Sequence, residues 1–175
     1  MYIYKKSQNI LYPILDDKLV SHTLTKQDCY QFFKNCLHPE TFQTISCLYL
    51  QYQIIPFQFE KYPQIYTQTI SYIQNIIIQY FDNDYANIMR ETDYSFLLLF
   101  FDASSEKLYE SIIQFNEYLT KKNFVFKHKN CKFQIHCGIY VSHFKTSVEQ
   151  LCTGAIEQCQ QAIHHGSLCS ILSLF

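Results

Sequence analysis

The sequence predicts an α+β domain in two or three layers, a ferredoxin-like and mostly antiparallel sheet with helices packed on it. Three observations predict it. Segments with helical spacing alternate with strand-sized apolar runs, in the order helix, strand, helix, hairpin, helix, strands, helix, strand. The longest apolar run, Phe96–Phe101, has the length of a strand and suits a position covered on both faces. Helix ends are signposted by Ser104, by Ser147 with Gln150, and by Gly166.

Each element has its own reason. Lys26–Leu37 reads as the first helix, capped by Thr25 with Asp28 three residues on, its buried stripe being Cys29, Phe32, Phe33 and Cys36. Ser46–Ile55 reads as a strand whose ladder ends at Pro56. A second helix follows Pro63, with Ile65, Thr69, Ile73, Ile76, Ile77 and Tyr80 on one face. Asn87–Arg90 and Tyr94–Phe101 form a hairpin joined through Glu91, Thr92 and Asp93. Ser104 caps a third helix that carries Leu108, Ile112, Phe115 and Leu119 inward; Glu106 at its start and Lys121–Lys122 at its end suit the helix dipole.

Strands near Phe124–Lys127 and Lys132–Val141 flank a polar turn. Ser147–Gln150 is a capping box for a fourth helix, with Val148, Leu151, Cys152, Ala155, Cys159, Ala162 and Ile163 at helical spacing. Gly166 stops that helix in the left-handed conformation, and Leu168–Leu174 makes a closing strand. Internal repeats, low-complexity segments and interdomain linkers are absent from the sequence.

Composition narrows the function classes. At 175 residues, 48% hydrophobic and with 15 Tyr and 15 Phe, the chain has the material for one core, and 17% charge argues against disorder. A net charge of −1 gives no overall attraction to nucleic acid or anionic lipid, so neither partner is expected. No apolar run approaches the roughly 18 residues of a membrane span, and Met1–Lys6 lacks the charged-then-apolar order of a signal peptide. A cytoplasmic location is the expectation. The eight cysteines, at 29, 36, 47, 131, 137, 152, 159 and 169, contain no C-x-x-C and are expected as free thiols packed in the core.

Several constellations look chemical and have plainer explanations. His164 and His165 adjoin at a helix end, so they diverge, and no second ligand pair has metal spacing. His136 and Cys137 are neighbours on a strand and face opposite sides. Asp82-Asn83-Asp84 imitates the start of a calcium loop, but the sixth position is Asn87 rather than Gly. Five of the 14 Lys and Arg residues fall between Lys121 and Lys132, which reads as a helix end and a solvated turn. No G-x-S-x-G elbow supports a serine hydrolase.

Separated segments share one family pattern. Arg90–Phe96 (RETDYSF), on the hairpin, resembles the R-x-G-G-[DE]-E-F signature of the GGDEF domains, the diguanylate cyclase family. Phe133–Ile139 (FQIHCGI) is similar to that family's later v-t-v-S-x-G-x strand. Ala155–Gly166 keeps the small residues and closing glycine of its A-D-x-A-L-Y-x-A-K-x-x-G helix, at Ala155, Ala162 and Gly166. Asp17–His22 (DKLVSH) retains the Asp and Leu of D-x-L-T-G-L. The chain has three glycines, and two of them, Gly138 and Gly166, stand at family glycine positions. The resemblance divides the chain into an N-terminal extension, 1–16, and a degenerate GGDEF-like domain, 17–175.

The resemblance also implies a site, and the residues in it have changed. Joining two GTP molecules needs metal ions on the triphosphate, and hard cations want converging carboxylates. Alignment on Phe57 and the second helix places Gln53 at the first metal-binding Asp of the family. Alignment on Arg90 and Phe96 places Thr92 and Asp93 at the glycines, with Tyr94 and Ser95 at the acids. Lys61 and Tyr62 stand near the base-contacting Asn and Asp, and Asn83 and Ala86 replace the ends of the inhibitory R-x-x-D motif. A register slip that used Asp93 as an acid would turn Phe96 to the wrong sheet face.

The expected site is therefore a vestigial nucleotide cleft bordered by Gln53, Phe57, Thr92, Asp93, Tyr94 and Ser95, with no catalytic residue and no metal ligand. The implied function is a catalytically inactive GGDEF-like regulatory domain in cyclic-dinucleotide signalling. Its partner is GTP or cyclic di-GMP held without turnover, or a protein or second copy docked where bulky side chains have closed the cleft. No cofactor is expected. The alternative is an active diguanylate cyclase, or another metal-dependent nucleotidyl-transfer enzyme, with a site rearranged around Asp82, Asp84 or Asp93, and only that alternative calls for Mg²⁺.

Overall fold

The structure, a computed structural model, describes residues 3–5, 31, 44–55, 72–73, 75–81, 87–122, 124–126, 129–142 and 146–174. The predicted first helix, apart from Gln31, lies outside the described residues, as do Asp17–His22, Cys29, Cys36, Pro56, Phe57, Lys61, Tyr62, Pro63 and Asp82–Ala86. In chain order the described elements are β1 (Ile3–Lys5), β2 (Ile45–Ile55), α1 (residues 75–81), β3 (Asn87–Thr92), β4 (Ser95–Phe101), α2 (Ser105–Lys121), β5 (Phe124–Phe126), β6 (Lys129–Ser142), α3 (Val148–His165) and β7 (Cys169–Leu174).

Strand β2 organises the sheet because it pairs antiparallel on both edges, with β4 through Leu48↔Leu98 and with β6 through Leu48↔Ile139. The strands run β1-β3-β4-β2-β6-β5, and β7 also lies on β6. Among the described strands only β6 and β7 pair in parallel, joined through α3, so the sheet is mostly antiparallel; the neighbours β4–β2 and β2–β6 are not consecutive in the chain, so crossovers connect them as well.

Alternation along β2 sends its side chains to two cores. Leu48, Leu50 and Tyr52 join Phe96, Leu98, Phe100, Cys137 and Ile139 beneath α1 and α2. Aromatic rings dominate that side: Phe115 lies 5.1 Å from Phe81 and 4.7 Å from Tyr80 between ring centroids. Cys47 and Tyr49 join Met89, Leu97, Leu99 and Tyr140 beneath Val148, Leu151, Cys152, Ala155 and Cys159 of α3. Helices therefore cover both faces, which makes three layers and explains why β4 has no polar face.

The local signals act where the sequence placed them. Ser104 accepts from the Lys107 amide to open α2. Ser147 and Gln150 exchange both bonds of the capping box at α3, and Gly166 closes that helix at φ 64°.

Four features differ from expectation. The hairpin strands run on to Thr92 and start again at Ser95, which shortens the turn to Asp93 and Tyr94. Strand β6 begins at Lys129, because its first residues pair with β5. Ile163 is exposed, sharing a flank with half-buried Ile156 seven residues earlier, outside the buried stripe of α3. Ile3–Lys5 adds an edge strand on β3 that the sequence reading lacked.

Candidate functional site

The end of β2 and the β3–β4 turn form one unit. The Tyr52 amide donates to the Tyr94 carbonyl at 2.9 Å, and Gln51 stands opposite Ser95 in the ladder. Two-residue hairpin loops normally rely on positive φ, which is why glycine favours them. Here Asp93 and Tyr94 keep negative φ; among the described residues only Asp102 and Gly166 adopt positive values. The ladder instead slips between Arg90 and Thr92, a bulge at Glu91 that supplies the missing twist.

The side chains of the turn are engaged with one another. Arg90 Nη2 donates to Asp93 Oδ1 at 2.8 Å, an ion pair about a third exposed. Thr92 Oγ1 and Ser95 Oγ lie 2.7 Å apart, and the Tyr94 amide donates to Thr92 Oγ1 at 3.1 Å. Behind the turn the Tyr52 hydroxyl donates to the Asp93 carbonyl, and its ring lies 5.8 Å from that of exposed Tyr94. Burial, then the negative charge of Asp93, push the Tyr52 phenol above its ordinary pKa, so it stays a donor. Tyr52→Phe is expected to lower stability by about 1 kcal/mol without moving the fold, checked by chemical denaturation and circular dichroism.

Ser95 faces the opposite way from Tyr52. It is 1% exposed and sits with Tyr49 and Glu91 on the α3 side. Burial raises the Tyr49 phenol to about 12, the Glu91 charge adds to the rise, and the Ser95 hydroxyl opposes it. Gln53 is exposed at the far end of β2, opposite Gln134.

The structure thus brings Thr92, Asp93, Tyr94 and Ser95 together beside Tyr52, places Gln53 one pleat further along, and leaves Phe57 outside the described residues. Among the described residues no three His, Cys, Asp or Glu side chains converge as a metal site would require. Tyr49, Tyr52 and Glu91 were absent from the sequence reading of the site. Their part depends on register across strands, for which the sequence carries no local signal.

The remaining candidates resolve into structure. The His136 ring has Nδ1 2.9 Å from the Ser167 carbonyl and Nε2 3.0 Å from the Gln134 amide nitrogen, while Cys137 joins the other core. The His164 and His165 rings are exposed and nearly perpendicular. Burial raises the Cys47 and Cys137 thiols, and carries Cys159 to about 11 and Cys169 to about 12. None of these four is poised as a nucleophile. In the basic stretch, Lys121 pairs with Glu117 at 3.5 Å and Lys122 lies over the Tyr118 ring at 4.4 Å. A groove of about 440 Å³ opens between α3 and the β6–β7 edge, lined by Tyr140, Thr146, Gln150, Gly154 and Leu174 among others, none of them from the hairpin.

No protein-family model matches the sequence, and no curated protein matches it. Solved structures do match in fold. The GGDEF domain of FimX from Pseudomonas aeruginosa is 13% identical with a TM-score of 0.61, over 85% of this chain and 90% of that one. The GGDEF domain of DgcB from Caulobacter crescentus, solved in complex with c-di-GMP, is 12% identical at a TM-score of 0.62, over 85% and 89%. The active GGEEF domain of a diguanylate cyclase from Vibrio cholerae is 12% identical at 0.58, over 74% and 83%. The chain therefore has a mixed α/β fold, a central sheet with packed helices, of the kind found in GGDEF domains.

Proposed function

We propose that this chain is a degenerate GGDEF-like regulatory domain that acts by binding and does not join nucleotides. The observation that carries the reading is the self-satisfied hairpin turn. Where the resemblance implies two glycines followed by acids, Thr92 and Ser95 bond to each other, Asp93 is paired with Arg90, and Tyr94 covers Tyr52. Gln53, at the aligned position of the first metal-binding acid, is neutral. A triphosphate brings its own negative charge and its metal ions, and a site that holds both needs anionic oxygen ligands.

The context proposed is cyclic-dinucleotide signalling in the cytoplasm. Among the described residues no helix is long and apolar enough to cross a membrane. The domain needs no cofactor for such a role.

Two measurements test the reading. Incubation with GTP and Mg²⁺ or Mn²⁺ is expected to yield no cyclic dinucleotide and no released pyrophosphate. Metal-dependent turnover that Asp93→Ala abolishes would overturn the proposal in favour of a rearranged enzyme. Calorimetric titration with GTP and with cyclic di-GMP, each with and without Mg²⁺, then divides the binding roles. Submicromolar affinity for either identifies a ligand sensor, and silence with both assigns the domain to a protein partner.

A further inference from the structure

Strand β7 lies at the other side of the sheet, separated from β4 by β2 and β6. It pairs with β6 alone among the described residues. Natural edge strands discourage pairing with other chains by carrying Lys or Pro, by bulging, or by being covered. This one has none of the first two: no charged residue and no proline occurs between Gly166 and Phe175. Its register with β6 runs without a shift from Cys169 to Leu174, and Ile171, Leu172 and Leu174 are 38%, 39% and 46% exposed.

Which backbone groups point outward follows from one hydrogen bond. The Cys137 amide donates to the Leu168 carbonyl at 2.9 Å. Along a strand, the N–H and C=O of successive residues point to alternate edges. Leu168, Ser170, Leu172 and Leu174 therefore turn their backbone groups toward β6, and Cys169, Ile171 and Ser173 turn theirs away from the sheet. Among the described residues the Cys169 carbonyl meets only the Ser167 hydroxyl, at 3.5 Å.

Ile171 is the middle one of these three residues, so the edge is complementary to itself. We propose that two copies of this chain pair antiparallel along β7, about a twofold axis through Ile171, and that one sheet runs through both. The axis stands perpendicular to the sheet, which keeps each face with its like and brings residues of equal parity together. Ile171 faces Ile171 of the other copy in a hydrogen-bonded pair, Cys169 faces Ser173, and Ser170 faces Leu172. Every outward N–H then has a carbonyl opposite. No like charges meet, because the strand has no charges. A second copy brings the same uncharged, shift-free edge, and the twofold sets exposed Ile171 against Ile171, a β-branched apolar pair of the kind that stabilises neighbouring strands.

The test uses the whole chain without nucleotide, so its failure leaves the reading of the hairpin standing. Sedimentation velocity across a wide concentration range is expected to show a monomer–dimer equilibrium. Ile171→Lys puts two ammonium groups face to face at the axis and is expected to weaken association at least about tenfold, with the circular dichroism spectrum unchanged. A gain-of-function arm covers the case in which that variant misfolds. Opposed residues in such a pair lie about 5.5 Å apart between Cα atoms, inside the range a disulfide spans. Ser173→Cys is thus expected to give a covalent dimer on copper-catalysed oxidation, and adding Cys169→Ser is expected to abolish it. A chain that stays monomeric throughout, a dimer indifferent to Ile171→Lys, or a crosslink that survives loss of Cys169 would each overturn the proposal.

Discussion

Gly138→Ala is expected to lower the stability of the fold by about 3 kcal/mol, at the upper end of what overpacking does. A Cβ built on Gly138 would stand 2.0 Å from the Ala155 carbonyl oxygen, 2.2 Å from the Cys159 amide nitrogen and 2.8 Å from the Gln158 carbonyl carbon. All three are backbone atoms in the middle of α3, and a hydrogen-bonded helix does not yield locally. The helix has to lift from β6, which opens the core around Cys47, Leu97 and Cys159 and pulls the Cys159 thiol from the His136 carbonyl it reaches at 3.3 Å. Gly154 provides the internal comparison. Its obstacle is the Tyr140 ring, at 2.2 Å, which is a side chain. The same change there is expected to be milder, and milder still when combined with Tyr140→Ala. Urea denaturation at neutral pH measures both. A loss below about 1 kcal/mol at Gly138, within the ordinary run of point mutations, would mean that α3 stands off the sheet.

That glycine is also a case of what the sequence can and cannot say. Gly138 drew notice as one of three glycines and through a family resemblance, but its reason lies in the approach of an element that begins ten residues later. Features decided within a few residues were legible: the caps at Ser104, Ser147 and Gly166, the stripe on α2, the apolar run of β4. Features decided between strands were not. The sequence predicts the turn at Glu91–Asp93, yet cross-strand register ends a strand, and Thr92 finds its partner in Ser95. Ile3–Lys5 has too few residues to display a period of two. At the site, the sequence supplied the chemistry of each replaced side chain. It did not supply the direction in which Ser95 points, nor the ring of Tyr52 behind the turn.

The direction of Ser95 leads to the second large effect. Ser95→Asp puts back a carboxylate at one of the aligned acid positions, and it is expected to destabilise the chain by about 3–5 kcal/mol at pH 8. Ser95 is 1% exposed, the neighbouring charge is that of Glu91, and the nearby phenol of Tyr49 is itself displaced upward by burial. The Arg90 guanidinium is occupied by Asp93. A carboxylate introduced there loses water and gains a like charge, so its folded-state pKa rises above the unfolded value of about 3.9. The sign follows from linkage. With a raised folded pKa the neutral acid is favoured in the native state, so the penalty is small near the unfolded pKa, grows as pH rises toward the folded pKa, and is complete above it. Denaturation at pH 4.5 and pH 8, each against the parent at the same pH, is expected to show the gap opening with pH, while Ser95→Asn, without the charge, shows little pH dependence. Should Ser95→Asp prove as stable as the parent at pH 8, the new carboxylate would have reached solvent. The mouth of the hairpin would then be open to a cation, and the self-satisfied turn would no longer stand against metal-dependent turnover.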